Sequence, residues 1–136
     1  MRPFISKYSS CCYALMRIVV GFLFLWHGSQ KLFALPAGMP GEVPAFITYV
    51  AGPIELIGGI LVMIGLFTHW AAFITSGQMA VAYWMAHGTK ALLPIQNNGE
   101  LAVLYCFVFL FIAAQGGGIW SVDALRNGGS GKAPDR

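Results

Sequence analysis

Apolar and polar positions fall in long blocks along this chain. One apolar block runs from about Tyr13 to Phe33, a second from Ala45 to Phe67, a third from Trp70 to His87 and a fourth from Leu101 to Ile119. Blocks of this length read as helices rather than strands, because about 20 residues at 1.5 Å each cross the roughly 30 Å hydrocarbon layer of a bilayer. The first block is too long for the apolar region of a signal peptide. The polar run His27-Gly28-Ser29-Gln30-Lys31 also precedes the small residues of Ala34-Leu35-Pro36-Ala37, so the block is read as a retained span. Gly52-Pro53 lies in the first third of the second block and predicts a kink or break there, since proline lacks an N–H and crowds the preceding turn. Only Thr68-His69 separates the second and third blocks, which makes those helices antiparallel neighbours with Thr68 placed to cap the third. The loops Ala34–Pro44 and Gly88–Gly99 are rich in Gly, Pro and Asn.

The pattern predicts an all-α fold, a four-helix transmembrane bundle. The expected organisation is a cytoplasmic N-terminal tail over 1–12, the helical domain over 13–126 and a flexible Gly-rich tail over 127–136. Composition agrees: 57% of residues are apolar or aromatic and 10% are charged, where soluble domains carry about 25% charged residues. A soluble domain and a disordered chain are both excluded on this ground. The net charge is +3, with the eight Lys and Arg spread singly. With no basic run or stripe, nucleic acid is not an expected partner. Cys11 and Cys12 are adjacent and Cys106 lies inside an apolar run, so all three read as free thiols with neither a disulfide framework nor metal-ligand spacing.

Charge placement gives an orientation. Arg2, Lys7 and Arg17 lie towards the N-terminal end and Arg126, Lys132 and Arg136 towards the C-terminal end, against Lys31 and Lys90 beside the two long loops. An even number of spans puts both termini on one side. The positive-inside rule makes that side cytoplasmic, in the cell inner (plasma) membrane. Arg17 and Lys31, near the two ends of the first span, are placed to snorkel to the interfaces. Small residues at regular spacing predict close helix contacts: Gly21 and Gly28 on the first helix, Gly58 and Gly65 on the second, Ala72, Ser76 and Ala80 on the third.

Depth along the helices then sorts the polar residues. His27, Lys31, Glu55, His87 and Glu100 fall in the outer half, Gln78 near the middle of the third helix, and Arg17, His69, Asp123 and Arg126 at the inner face. A lone charge near mid-bilayer is costly, so Glu55 should be protonated or paired, with His27 and Lys31 nearest in depth. His27 and Lys31 are four residues apart and share a face. Glu55 and His27 are the candidate catalytic residues. Lys31, His87, Glu100, Gln78 and Arg17 are the candidate ligand-binding residues. The same side chains also suit plainer roles: Lys31, His87 and Glu100 as interfacial residues touching water, and His27 as a hydrogen-bond partner of a neighbouring helix. Trp26, Trp70, Trp84 and Trp120 suit aromatic belts.

These residues in this order resemble the DoxX family of small four-helix membrane proteins. The likeness covers roughly Tyr13 to Asn127. The first span carries Arg17, Gly21, Phe24, His27-Gly28 and Lys31-Leu32; the second carries Glu55-Leu56-Ile57-Gly58-Gly59 and Gly65; the third ends in Ala86-His87. The fourth opens with Asn98-Gly99-Glu100-Leu101-Ala102 and closes with Gly116-Gly117-Gly118-Ile119-Trp120-Ser121-Val122-Asp123. The family usually has a proline in that closing segment, where this chain has Gly117. The resemblance implies a membrane subunit of a redox complex, since the family takes its name from the membrane subunit of a thiosulfate-oxidising, quinone-reducing complex. Other members are linked to membrane oxidoreductase assemblies and to thiol or oxidative-stress handling.

Two functions follow as expectations. In the first, a quinone or similar lipophilic ligand sits among His27, Lys31, Glu55 and His87, where a carboxylate or imidazole relays the protons that quinone reduction takes up. The chain has neither a dinucleotide-binding fingerprint nor a cysteine pair, so electrons come from a protein partner. In the second, the polar cluster pins helix register and the protein anchors or stabilises a partner without catalysis. Haem or metal ligation by His27 and His87 lacks a motif spacing and is not expected. Transport would require a homo-oligomer, because four helices alone make no pore.

Overall fold

The computed structural model describes residues 3–128. Of the expected C-terminal tail, Asn127 and Gly128 are therefore included, and the remainder lies outside the described residues. Among the described residues the chain is all-helical, with no strand. A 3₁₀ turn over Ser6–Tyr8 leads into α1 (Ser9–Phe33). A π-helical turn, Ile47–Ala51, runs directly into α2 (Gly52–Ile64), followed by α3 (Thr68–Ala86) and a short α4 (Pro94–Asn97). Then come α5 (Glu100–Gln115) and a short α6 (Val122–Arg126).

The helices keep the expected order and shift at their ends for local reasons. α1 begins at Ser9, ahead of the apolar block, because nothing from Ser9 to Tyr13 breaks a helix. The Gly52-Pro53 break is a change of hydrogen-bond pattern: Gly52 N–H bonds the carbonyl of Ile47, and the α-helix starts with Pro53 in its first turn, where a missing donor costs little. α5 stops at Gln115, short of Ile119, because Gly116 and Gly118 take positive φ of 81° and 64°. Ser6–Phe33 and Ile47–Ile64 are long and apolar enough to cross a membrane by length and composition. α3, at 19 residues, matches the second of these in length but carries Thr68, His69, Thr75, Ser76 and Gln78, while α5 is apolar but has only 16 residues.

The four long helices pack antiparallel around a small core. Gly21 of α1 faces Gly59 and Met63 of α2, and Gly28 faces Gly52 and Leu56. Rising numbers on one helix meet falling numbers on the other. Ser76 of α3 donates to the Cys106 carbonyl of α5 at 2.7 Å, and His69 Nδ1 lies 2.6 Å from the Ala113 carbonyl, again in opposite directions. Gly58 of α2 packs on Thr75 of α3. Phe24 of α1 closes the ring against Phe109 and Tyr105 of α5, at centroid distances of 4.6 and 5.1 Å. Phe24, Val62, Ala72, Phe109 and Ile112 are fully buried. Outside this core the helices show apolar side chains to the exterior, among them Trp70, Phe73, Trp84 and Phe107. Such a surface suits lipid rather than water. Of the expected small-residue contacts, Gly21, Gly28, Gly58, Ala72 and Ser76 lie in helix seams. Gly65 instead ends α2 in the left-handed conformation, at φ 70°.

Candidate functional site

Antiparallel packing brings the last turn of α1 beside the first turn of α2 and the middle of α3. Lys31, Glu55 and Gln78 occupy those places. Lys31 Nζ donates to Glu55 Oε2 at 2.6 Å, and Gln78 Nε2 donates to Glu55 Oε1 at 2.9 Å. Each carboxylate oxygen therefore has one donor, from a different helix. Glu55 is 2% exposed and the Lys31 side chain 12%. Lys31 does not snorkel outward: a buried carboxylate is a better partner than the interface, and breaking such a pair leaves an uncompensated charge. Gln78 Oε1 is buried and has no hydrogen-bond partner among the described residues.

Beside this cluster lies a cavity of about 610 Å³, well inside the roughly 300–1,000 Å³ range of small-molecule sites. His27, Lys31, Glu55, Gln78, His87 and Tyr105 give it a polar side. Apart from Asn98, the rest is apolar, with Val50 and Ile54 from the α2 segment and Ile74 and Met85 from α3. His27 stands against the rings of Tyr105 and Phe24, at centroid distances of 5.8 and 6.4 Å, not against Glu55. His87 follows the end of α3, with Nδ1 2.9 Å from the Asn97 carbonyl. Asn97 is 3% exposed; it donates to Tyr83 Oη and the Ala91 carbonyl and accepts from Gly99 N–H. It thereby fixes the α3–α5 connection that carries His87.

Two candidates lie elsewhere. Glu100 opens α5, exposed, and does not line the cavity. Arg17 lies about 21 Å from Lys31 along α1, fully buried at the opposite end of the helices. Its Nη1 donates to the carbonyls of Val62 (2.8 Å) and Met63 (2.7 Å), and its Nη2 to those of Trp120 (2.8 Å) and Ile119 (3.4 Å). The carbonyls that end α2 lack the usual partners of the next turn, though Val62 accepts one bond from Gly65 N–H, and a guanidinium with several donors completes them. Arg17 does not snorkel and does not line the cavity; it latches the end of α2 to the segment after α5.

The same end holds a second clasp. Asp123 Oδ1 accepts from Phe67 N–H at 2.9 Å, and Oδ2 accepts from Thr68 N–H at 2.9 Å and Thr68 Oγ1 at 2.7 Å. Asp123 N–H in turn donates to the Gly65 carbonyl. Thr68 is thus the first residue of α3 and not its cap; the cap is a carboxylate from the far end of the chain. Burial pushes the Asp123 carboxyl up. The bonds from Thr68 and Phe67, together with the Arg126 charge, outweigh that and hold it below the usual carboxylate range.

The polar pattern of the sequence points to neither Tyr105 nor Asn97, and it puts Asp123 at the inner face without showing its partners at the start of α3. Tyr105 carried a usable signal, since Tyr105, Phe109 and Ile112 recur at helical spacing on the buried face of α5. Asn97 and Asn98 look alike in the sequence, and only the fold buries the first.

A family model described as DoxX matches residues 13–88. An uncharacterized protein of Haemophilus influenzae is 41% identical over 125 residues, covering 88% of this chain and 93% of that protein. A Bacillus subtilis protein with the printed name "Putative oxidoreductase CatD" is 29% identical over 117 residues, covering 80% of this chain and 82% of its own length. A second uncharacterized Haemophilus influenzae protein is 28% identical over 107 residues, covering 74% and 69%. No solved structure matches.

Proposed function

Since the chain belongs to the DoxX family of membrane proteins, we propose that it is a membrane subunit of a redox complex that binds a quinone or a similar lipophilic ligand beside Glu55. In this reading residues 13–126 form a four-helix transmembrane bundle in the plasma membrane. α1, α2, α3 and α5 are the spans, both termini are cytoplasmic, and the cavity lies in the outer half. α5 is about 24 Å long, and a thinned bilayer around it accommodates the difference.

One observation carries the proposal: a buried, ion-paired carboxylate forms part of the wall of a mainly apolar cavity of about 610 Å³ whose polar side also holds His27 and His87. A quinone ring has that mixed character, with carbonyl oxygens for polar groups and flat faces for apolar walls. Its reduction consumes two electrons and two protons. The electrons come from a partner protein. Glu55, Lys31 and His27 are the groups placed to hold or pass protons at the ring oxygens. The Bacillus subtilis relative's printed name supports an oxidoreductase setting.

A second reading has its own support. Lys31, Glu55 and Gln78 tie three helices together and satisfy one another, which is also how a purely structural cluster pins helix register for a subunit that only anchors a partner.

Extraction of the protein purified in mild detergent separates the two. A stoichiometric lipid-soluble quinone supports the redox reading. A co-purifying protein with no extractable ligand supports the anchoring one. Glu55→Gln keeps the bond with Gln78 and removes the titrating group, so it is expected to fold and to lose quinone-linked activity. Wild-type activity in this variant would reject a proton role for Glu55.

A further inference from the structure

Gly77 stands at the middle of α3, a place where glycine weakens a helix. The other glycines inside long helices have a packing reason. At Gly21, Gly28, Gly58 and Gly59 an added Cβ would run into a neighbouring helix. At Gly77 an added Cβ would meet no atom within 4 Å. Close approach therefore does not explain it. Its position does suggest a use for the missing side chain, because Gly77 lines the cavity next to Gln78.

The residues around Gly77 face two ways. Ile74 and Val81 line the cavity and are 53% and 54% exposed on the outer apolar surface. Val50, across the gap on the π-helical turn, lines the cavity and is 44% exposed. The cavity thus opens sideways, between α2 and α3, onto the surface that suits lipid. A second hollow of about 240 Å³ continues along the same seam over Ile57, Gly58, Leu61 and Ala71, and it shares Ile54 and Ile74 with the cavity.

We infer that the α2–α3 gap at Gly77 is a lateral portal, through which a ligand with a single hydrocarbon tail moves between the bilayer and the cavity. Its polar head reaches Glu55 and Gln78, and its tail passes the bare backbone at Gly77 and lies in the Ile54–Leu61 groove against lipid. The ligand class is then a membrane-dissolved amphiphile rather than a water-borne metabolite. The identity of its head rests on the quinone reading above; the portal does not.

Two measurements test this in lipid nanodiscs. In the first, association is followed for a decyl-tailed benzoquinone and for the same ring without a tail. Gly77→Trp fills the gap and is expected to slow the tailed compound by roughly tenfold while leaving the tail-less ring nearly unchanged. Gly77→Ala is expected to bind both normally and to melt at a higher temperature. Equal slowing of both compounds by Gly77→Trp, or slowing of neither, overturns the portal. In the second, Cys11, Cys12 and Cys106 are changed to Ser and Ala102, on the cavity wall, to Cys. A long-chain alkyl maleimide delivered in the bilayer should label this position faster than a charged maleimide from water, and Gly77→Trp should suppress that labelling. Unchanged labelling in Gly77→Trp, or faster labelling by the charged reagent, overturns the portal. If the wild type binds neither quinone, the quinone reading fails and the labelling alone decides the portal.

Discussion

Glu55 has both oxygens occupied, by Lys31 at 2.6 Å and Gln78 at 2.9 Å, in a place where water barely reaches. Its partners matter to it more than they would at a surface, because each removal strands what remains. Lys31→Met leaves the carboxylate without a cation and is expected to cost about 3–5 kcal/mol. Glu55→Leu strands both Lys31 and Gln78 and should cost a comparable amount. The double change Lys31→Met, Glu55→Gln should cost little more than the worse of its singles, measured as unfolding in one detergent. Additive losses would show that the two side chains are energetically independent. This pair was legible in the sequence, since counting residues along two antiparallel helices puts Lys31 and Glu55 at one depth. His27, one turn away on the Lys31 face, was an equal candidate by depth, yet it stands against Tyr105 and Phe24. Arg17 was not legible as a latch: its acceptors are four backbone carbonyls, and a carbonyl has no letter in a sequence.

At the scale of helices, glycine and helix ends separate packing from function. The α1–α2 seam depends on bare backbone: a Cβ on Gly21 would lie 2.5 Å from Met63 N and 2.7 Å from the Gly59 carbonyl. Those are backbone atoms and cannot rotate away. Gly21→Ala should therefore destabilise the protein by about 1–3 kcal/mol, read by thermal unfolding; a neutral result would mean that the seam yields. The spacing of Gly21 and Gly28 made their side of the seam legible, whereas the glycines that face them are Gly59 and Gly52, and Gly58 packs on Thr75 of α3 instead. The start of α3 depends on a carboxylate that the sequence places 55 residues away. Because the Asp123 carboxyl is held below its ordinary value, its contribution is full above the unfolded pKa of about 4 and is lost as pH falls through the lower folded value. Asp123→Asn should cost about 1 kcal/mol at neutral pH. The gap in melting temperature between wild type and variant should close below about pH 4. A gap that stays constant with pH would remove the charge from the explanation.

In the molecule as a whole, the two ends of the helices divide the labour. One end surrounds a cavity with titratable side chains; the other uses Arg17 and Asp123 to fasten helix ends to the segment after α5. The broad outline, helical and membrane-borne, was legible because apolar blocks report directly on burial in lipid. The cavity was not, since its volume depends on how far the helices stand apart. The proposed orientation is checked by labelling single cysteines placed in each terminal segment of a cysteine-free variant, in intact cells. Both should resist a membrane-impermeant maleimide until the cytoplasmic side is opened. Reaction of either from outside would reverse the orientation.

The Arg17 latch also imposes an order on biosynthesis. Two of its acceptors, Ile119 and Trp120, follow it by 102 and 103 residues. While the chain is still emerging, the Arg17 guanidinium has at most the Val62 and Met63 carbonyls, half of its final partners. The first helix thus gains its last stabilising contacts only when the ribosome has passed the closing glycines. A chain that stops short of Ile119 would leave Nη2 of a fully buried guanidinium without its acceptors, so such a copy is expected to hold its first helix less firmly than a finished one.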